Sequence, residues 1–413
     1  MPRPLEGIRV LELGNLLAGP FCGMLLGDMG ADVVKVEAPK GGDLTRHTQP
    51  HIAGESANFI AINRNKRSIA IDLKKPEGRD IVRALARDAD LVIENFRPGV
   101  MASLGLGVED LRAVNPTIVY VSVSGFGQTG PNTKRAAVNL VIEAAAGSLS
   151  VSGEPDQIPM RPGVQTGDMF GALFATYAAL SGLMGRVRHN QGRAIDVSLV
   201  EASISAAVWE TSEYLATGNV PQRLGHRHRL TAPYQVFKAR DGLIVIGCPN
   251  DQIFRNILQI LDRSQHANDL RFATYSLRKT NEDALLAIIE PAVALRDVGD
   301  LEAALVAAGV PCSRVNDYRD IFDDPHLRSR ALVITGTHPR AGDVKMVRNP
   351  ILFDEDGPGI SRMAPLLGEH TAEVLAEIGF SPEETLRLEA DGVVKTSREA
   401  PAQASARSPA SVA

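Results

Sequence analysis

The strongest constraint on this chain is the alternation in residues 8–37, where two short apolar runs flank a helical stretch. Ile8-Arg9-Val10-Leu11-Glu12-Leu13 reads as a strand, residues 20–29 as a helix opened by Pro20, and Asp32-Val33-Val34-Lys35-Val36-Glu37 as a second strand. Strands joined through a helix run parallel, because only a crossover of that length returns the chain to the same edge. Further strand patterns at residues 68–73, 91–96 and 117–123 alternate with helical stretches at 77–87 and 109–114. The expectation is an α/β fold, a mostly parallel, doubly wound sheet with right-handed crossovers. Ligands bind past the carboxyl ends of such strands. That directs attention to Leu16-Leu17-Ala18-Gly19, Lys74-Lys75, Glu94-Asn95-Phe96 and the loop Ser124-Gly125-Phe126-Gly127-Gln128-Thr129-Gly130-Pro131. The first turn, Gly14-Asn15-Leu16-Leu17-Ala18-Gly19-Pro20, lacks the G-x-G-x-x-G spacing of a nicotinamide-dinucleotide site, which argues against that ligand although Glu37 ends the second strand.

At 413 residues the chain exceeds what one core usually serves, so a second domain is expected. The pattern after the basic segment Arg223-Leu224-Gly225-His226-Arg227-His228-Arg229 changes to a hairpin turned by Arg240-Asp241-Gly242 and then to helices at 251–261, 282–294 and 301–308. The resulting division is a large domain from residues 1–199, a helical linker 200–224, a smaller α+β domain 225–335, a return segment 336–395 and a disordered Ala/Ser/Pro-rich tail 396–413. A net charge of -5 argues against a nucleic-acid partner. Three scattered cysteines and no H-E-x-x-H pair indicate neither a disulfide frame nor a metal site. The short, interrupted N-terminal apolar run is no secretory signal, and residues 169–184 are too short and Gly-rich for a membrane span, so the expectation is a cytoplasmic protein with a buried core helix there.

One carboxylate stands out. Arg161-Pro162-Gly163-Val164-Gln165-Thr166-Gly167-Asp168 delivers Asp168 from a glycine-bearing loop to the start of that apolar helix. Asp168 is open to two readings: an N-cap accepting first-turn amides, or a covalent nucleophile whose small neighbours let a bulky substrate approach.

Five stretches read together carry a resemblance: Pro4-Leu5-Glu6-Gly7-Ile8 leading to Leu17-Ala18-Gly19-Pro20; Asn65-Lys66-Arg67-Ser68-Ile69; Glu94-Asn95-Phe96-Arg97-Pro98-Gly99; the Ser124–Pro131 loop; and Pro365-Leu366-Leu367-Gly368-Glu369-His370-Thr371. With Gly167-Asp168 between the last two, they resemble the class III coenzyme A transferases, the family of formyl-CoA transferase and carnitine CoA-transferase. The resemblance implies a Rossmann-like large domain made from both ends of the chain with a small domain between, two interlocked subunits forming a homodimer, and a CoA thioester as substrate rather than a permanently bound cofactor. It matches Asp168 to the family's nucleophile, Leu16, Ala18 and Gly19 to the loop against the CoA thiol arm, and Ile71 and Lys74 to the adenine and phosphate end. It matches Asn95 and Phe96 to the pair holding the nucleotide, and Arg135 to a CoA-contacting lysine. Gly167, Gly225 and His226 fall at substrate-binding positions. Leu17, Ala38 and Ser103 depart from formyl-CoA transferase, and the run of glycines that closes over that enzyme's site is absent from residues 225–232, which argues against formyl or oxalyl substrates without touching the CoA assignment. Arg161-Pro162-Gly163-Val164 and Gly225-His226, with Arg227 and Arg229, resemble the dicarboxylate-using, succinyl-CoA branch.

The resemblance implies a ping-pong transfer of CoA between carboxylic acids through an aspartyl-CoA thioester on Asp168. Two alternatives stand beside it. A racemase on the same fold pairs the aspartate with a histidine, a position occupied here by Val138, and proton removal and return on opposite faces needs both groups. A non-catalytic CoA-binding protein has no evident use for a free carboxylate at Asp168.

Overall fold

The computed structural model describes residues 3–354 and 357–397, so the expected disordered tail lies outside the described residues except for Thr396 and Ser397. The chain divides into two compact units. One comprises Met1–Ser148, Gly163–Thr211 and the chain from Ala331 onward; the other comprises Leu149–Pro162 and Ser212–Arg330.

The first unit is built on a sheet whose parallel strands are β1 (Arg9–Leu13), β2 (Asp32–Glu37), β3 (Lys66–Ile71), β4 (Leu91–Glu94), β5 (Val119–Ser124) and β6 (Ala194–Ser198). The short strand Val394–Lys395 adds an antiparallel edge against β3. Successive residues of β1 serve opposite layers. Val10 packs with Val33, Leu91 and Cys22 on one face, while Leu11 and Leu13 pack with Val34, Ile69 and Ile81 on the other. Helix α1 (Ala18–Asp28) covers the first face and α2 (Pro76–Arg87) the second, which gives the doubly wound arrangement expected.

The strand order places β3, β2, β1, β4, β5 and β6 side by side. The chain therefore winds outward from β1 through β2 to β3, then returns to β1's other side at β4. That reversal opens a crevice past the carboxyl ends of β1 and β4, the general ligand position in this architecture. Helix α3 (Asn139–Ala145) follows β5, and α4 (Thr166–His189) crosses back to β6. A crossover helix runs against its strands, so the first turn of α4 lies on the same edge as the crevice.

Two expectations are corrected here. The helix after Asp168 is not wholly buried: Ala172, Ala175, Ala179 and Leu183 face the core, but Leu173, Tyr177, Met184 and Val187 are exposed. It is the one helix among the described residues long and apolar enough to cross a membrane. The helical linker expected at 200–224 contains two helices, α5 (Leu199–Ala206) and α6 (Val208–Thr217). The second unit takes in residues 149–162, which the sequence pattern places in the large domain. The reason is Arg223, whose guanidinium donates to the carbonyls of Glu154, Pro155 and Gln157. That unit carries the antiparallel strands Gln235–Lys238, Leu243–Ile246 and Cys312–Arg314, and packs Phe237, Ile244 and Ile246 against helices Asp251–Ile260 and Glu282–Ala294.

Candidate active site

The turn after β1 is held from three sides. Leu16 adopts φ 65°, a left-handed conformation that costs a residue with a Cβ about 1–2 kcal/mol. Its N–H donates to Asp43 Oδ1 at 3.1 Å. Its neighbour Asn15 is clipped by Asn95, whose Oδ1 accepts the Asn15 N–H and whose Nδ2 donates to the Asn15 carbonyl, each at 2.8 Å. Beneath the turn Lys35 Nζ lies 2.8 Å from Glu12 Oε1, from Asp43 Oδ2 and from the Gly14 carbonyl, and Lys66 Nζ lies 2.8 Å from Glu12 Oε2. All four side chains are closed to solvent or nearly so, two cations against two carboxylates. Burial opposes the charge on Lys35, but Glu12 and then Asp43 outweigh it and hold the ammonium firmly protonated.

This arrangement redistributes the residues that the family resemblance matches to CoA. Leu16 is 45% exposed and presents an apolar side chain at the crevice, while Ala18 and Gly19 are buried, Gly19 against the Asn95 side chain. Ile71 is 1% exposed and packs in the core, so its side chain cannot reach a ligand. Lys74 is exposed beyond the end of β3, and its backbone N–H donates to Asp72 Oδ1. Asn95 spends its amide on the Asn15 backbone, which makes it a clip for the turn rather than a free ligand group. Phe96 is half-buried against the core and donates its N–H to Glu94 Oε2. Arg135 is exposed, its guanidinium 4.8 Å above the Phe126 ring.

Asp168 is not the N-cap. Gln165 occupies that position with no side-chain cap bond, and Asp168 is the third residue of α4. The first-turn amides are met from α3: Glu143 Oε1 accepts the Thr166 N–H at 3.0 Å and the Thr166 hydroxyl at 2.7 Å, and Asn139 Oδ1 accepts the Asp168 N–H at 3.1 Å. Because α3 supplies these acceptors, the Asp168 carboxylate is not spent on capping and has no hydrogen-bond partner among the described residues. Gly167 permits the approach, since a Cβ there would lie 3.1 Å from Asn139 Oδ1 and from Ile142 Cγ2. Asp168 is half-buried, and burial, followed by the charge of Glu143, raises its carboxyl from 3.8 to about 6. It is therefore mostly ionised at neutral pH yet more basic than an ordinary aspartate. Val138, where a racemase would need its histidine, is 64% exposed at the start of α3.

In the second unit Gly225 takes φ 61° and donates its N–H to the Gly153 carbonyl. His226 Nδ1 lies 3.5 Å from Glu154 Oε1, both side chains being about half exposed. Arg227 pairs with Asp283 at 2.7 Å and Arg229 with Glu213 at 3.1 Å, so neither guanidinium stands free. Arg161 is exposed with no ionic partner among the described residues. Among the described residues no three His, Cys, Asp or Glu side chains converge on a metal site.

A doubly wound sheet with a strained, clipped turn at its switch point and an uncommitted, raised-pKa carboxylate on the same edge has the parts of a group-transfer enzyme. Residues 5–371 match the model of CoA-transferase family III, and the chain belongs to that family. It is 38% identical to the succinate–glutarate CoA-transferase of Agrobacterium fabrum, over 91% of this chain and 96% of the relative. It is 36% identical to the succinyl-CoA–D-citramalate CoA-transferase of Chloroflexus aurantiacus, over 95% and 98%. The crystal structure of a CaiB/BaiF family protein from Brucella suis superposes with a TM-score of 0.82 at 39% identity, covering 92% of this chain and all of that one. The protein is a CoA-transferase, an enzyme, and the reading as a non-catalytic CoA-binding protein is set aside.

Glu143, Asn139 and Asp43 are the site residues that sequence reading missed. The i, i+4 spacing of Asn139 and Glu143 was the available signal, because it puts both on one helical face.

Proposed function

We infer that the enzyme moves CoA from succinyl-CoA or a similar acyl-CoA to a short dicarboxylic acid, through covalent catalysis by Asp168. An Asp168 oxygen attacks the thioester carbonyl carbon, the C–S bond breaks, and CoA leaves as the thiolate from a mixed anhydride. The thiolate then attacks the Asp168 carbonyl carbon, releasing the donor's carboxylate and leaving an aspartyl-CoA thioester. The acceptor carboxylate repeats the two steps in reverse order and restores Asp168. No proton is gained or lost, so a single carboxylate suffices, in line with Val138 at the position a racemase base would fill. The observation that carries the reading is the Asp168 carboxylate, raised to about 6 and free of hydrogen-bond partners among the described residues. Both named relatives act between dicarboxylic acids, which supports that acceptor class. Leu16, Lys74, Phe96 and Arg135 are assigned to CoA, Ala18, Gly19 and Asn95 to the framework beneath it, and Gly167, Gly225 and His226 to the acyl and acceptor groups.

The same reading includes a homodimer. The outer face of α4 carries Tyr177 at 69% and Val187 at 74% exposure beside a groove of about 620 Å³ lined by Phe174, Ser181, Ile195 and Ala202. An apolar face of that extent is a surface to be covered by a second copy.

Incubation with succinyl-CoA and glutarate, followed by mass spectrometry of the acyl-CoAs and of the peptide bearing Asp168, tests the proposal. Glutaryl-CoA and a hydroxylamine-labile CoA adduct on Asp168 are expected. An adduct on another residue, or none, overturns the nucleophile assignment.

A further inference from the structure

Glu143 is fully buried, and among the described residues no cation neutralises it: the partners of Oε1 are the Asn139 amide at 3.0 Å and the N–H and hydroxyl of Thr166, while Oε2 is buried with no hydrogen-bond partner among the described residues. A glutamine would accept the same three donors without the several kcal/mol it costs to bury a charge. Anchoring the helix therefore does not account for the carboxylate. Its other relationship does, because its charge acts on Asp168.

We propose that Glu143, with Asn139, is the positioning residue of the reaction, fixing the first turn of α4 and setting the reactivity of the Asp168 carboxylate through the negative charge behind it. The two act through different atoms. Asn139 Oδ1 holds the Asp168 backbone at 3.1 Å, while its Nδ2 turns Glu143 Oε1 toward Thr166. Without this pair the turn's amides would point at the Asp168 carboxylate as at any exposed helix start, and would lower its basicity. With the pair in place they are occupied, and the nearest charge is negative. The remaining titratable groups on the elements packed against α4 are few. They are Cys22 on α1, whose thiol is hydrogen-bonded to Thr176 and raised by burial; Asp28 on α1, paired with Arg64; Tyr120 on β5, raised by burial; Asp196 on β6, which accepts the Gln128 N–H; and Glu201 on α5. Along α4 itself lie Tyr177, Arg186, Arg188 and His189, the last three in its final turn. Of all these groups, Glu143 is the one whose charge raises Asp168.

The inference rests on Asp168 as nucleophile, and the experiment separates the two. The pH dependence of kcat/KM for succinyl-CoA is measured on the full-length wild type, Glu143→Gln and Asn139→Asp. Glu143→Gln keeps the acceptor for Thr166 and removes the charge, so its acid limb is expected to move to lower pH, with KM for succinyl-CoA little changed and kcat above the limb reduced a few-fold. Asn139→Asp keeps the acceptor for the Asp168 N–H but sets a second carboxylate against Glu143 Oε1, a pair that shares a proton and keeps its negative charge, so its limb is not expected to move to lower pH. A merely structural pair would lower rates without moving the limb. A Glu143→Gln limb that stays at the wild-type position, or limbs that move to lower pH in both variants, overturn the proposal. If Asn139→Asp does not fold, an unmoved limb in Glu143→Gln alone overturns it. Absence of a wild-type adduct on Asp168 overturns the parent reading instead, whatever the limbs do.

Discussion

Lys35 Nζ reaches Glu12 Oε1 and the carbonyl oxygen of Gly14, each at 2.8 Å, and so ties a fully buried ion pair to the turn that presents Leu16. Buried charges pay heavily for lost solvent, and their mutual attraction offsets that cost only while every partner is present. Lys35→Met would leave Glu12 and Asp43 with one fewer cation in the interior. The expected loss is about 3–5 kcal/mol in chemical denaturation. A loss below about 1 kcal/mol would mean that the network is solvated and does not support the turn.

The raised carboxyl of Asp168 makes activity and stability run in opposite directions with pH. Transfer needs the carboxylate, so kcat/KM is expected to climb through about pH 6 and level off above it. The folded state binds this proton more tightly than the unfolded chain does. Its contribution to stability is therefore present in full below the unfolded value of 3.8 and is lost as pH rises through about 6. Asp168→Asn, uncharged throughout, is expected to abolish transfer yet to melt higher than the wild type near pH 8, with no such gain near about pH 4. Thermal unfolding at both pH values, alongside rates, checks this. A wild type more stable than the variant at the higher pH contradicts it.

The split between what the sequence revealed and what it hid follows from the range of the forces involved. The β1–α1–β2 unit and the helix at Glu282–Ala294 were legible because apolar periodicity over ten or more residues overrides local accidents. Helix α3 was not read, since Asn139-Leu140-Val141-Ile142-Glu143-Ala144-Ala145 is barely two turns and its apolar run is equally a strand. Helix Pro382–Ala390 carries its own sequence signal, the Ser381–Glu384 capping box. Glu12 and Lys35 alternate with apolar neighbours as solvent-facing strand residues would, and only the fold, by bringing Asp43 and Lys66 to them, makes their burial possible. Asp168 itself was legible, but its freedom from capping was not, because that depends on two side chains from α3.

The exposed face of α4 predicts a dimer that charges placed on that face should split. Light scattering is expected to give twice the 44.2 kDa chain mass for the wild type. Tyr177→Asp combined with Val187→Asp puts two charges into what should be a dry interface, and is expected to yield monomer or a marked rise in the dissociation concentration. A wild-type monomer at micromolar concentration would refute the dimer.

Arg161 bears on which acids the enzyme accepts. Arg227 and Arg229 were natural candidates for the non-reacting carboxylate of a dicarboxylic acid, but each is held by an acidic partner and would have to break that pair first. Arg161, in the segment leading to Asp168, carries no such cost. A guanidinium offers a planar pair of donors that fits a carboxylate, and a hydrogen bond to a charged group contributes about 1.5–3 kcal/mol. Arg161→Ala is therefore expected to lower kcat/KM for glutarate by roughly tenfold to a hundredfold. A monocarboxylic acceptor such as butyrate, which has nothing to offer Arg161, should be used at an unchanged rate, so the ratio of the two kcat/KM values is the informative quantity. Arg161→Lys should recover part of the glutarate preference, because the charge returns without the fork. Equal losses on both acceptors would show that Arg161 supports the loop rather than reading the second carboxylate, and no loss on either would remove it from the site.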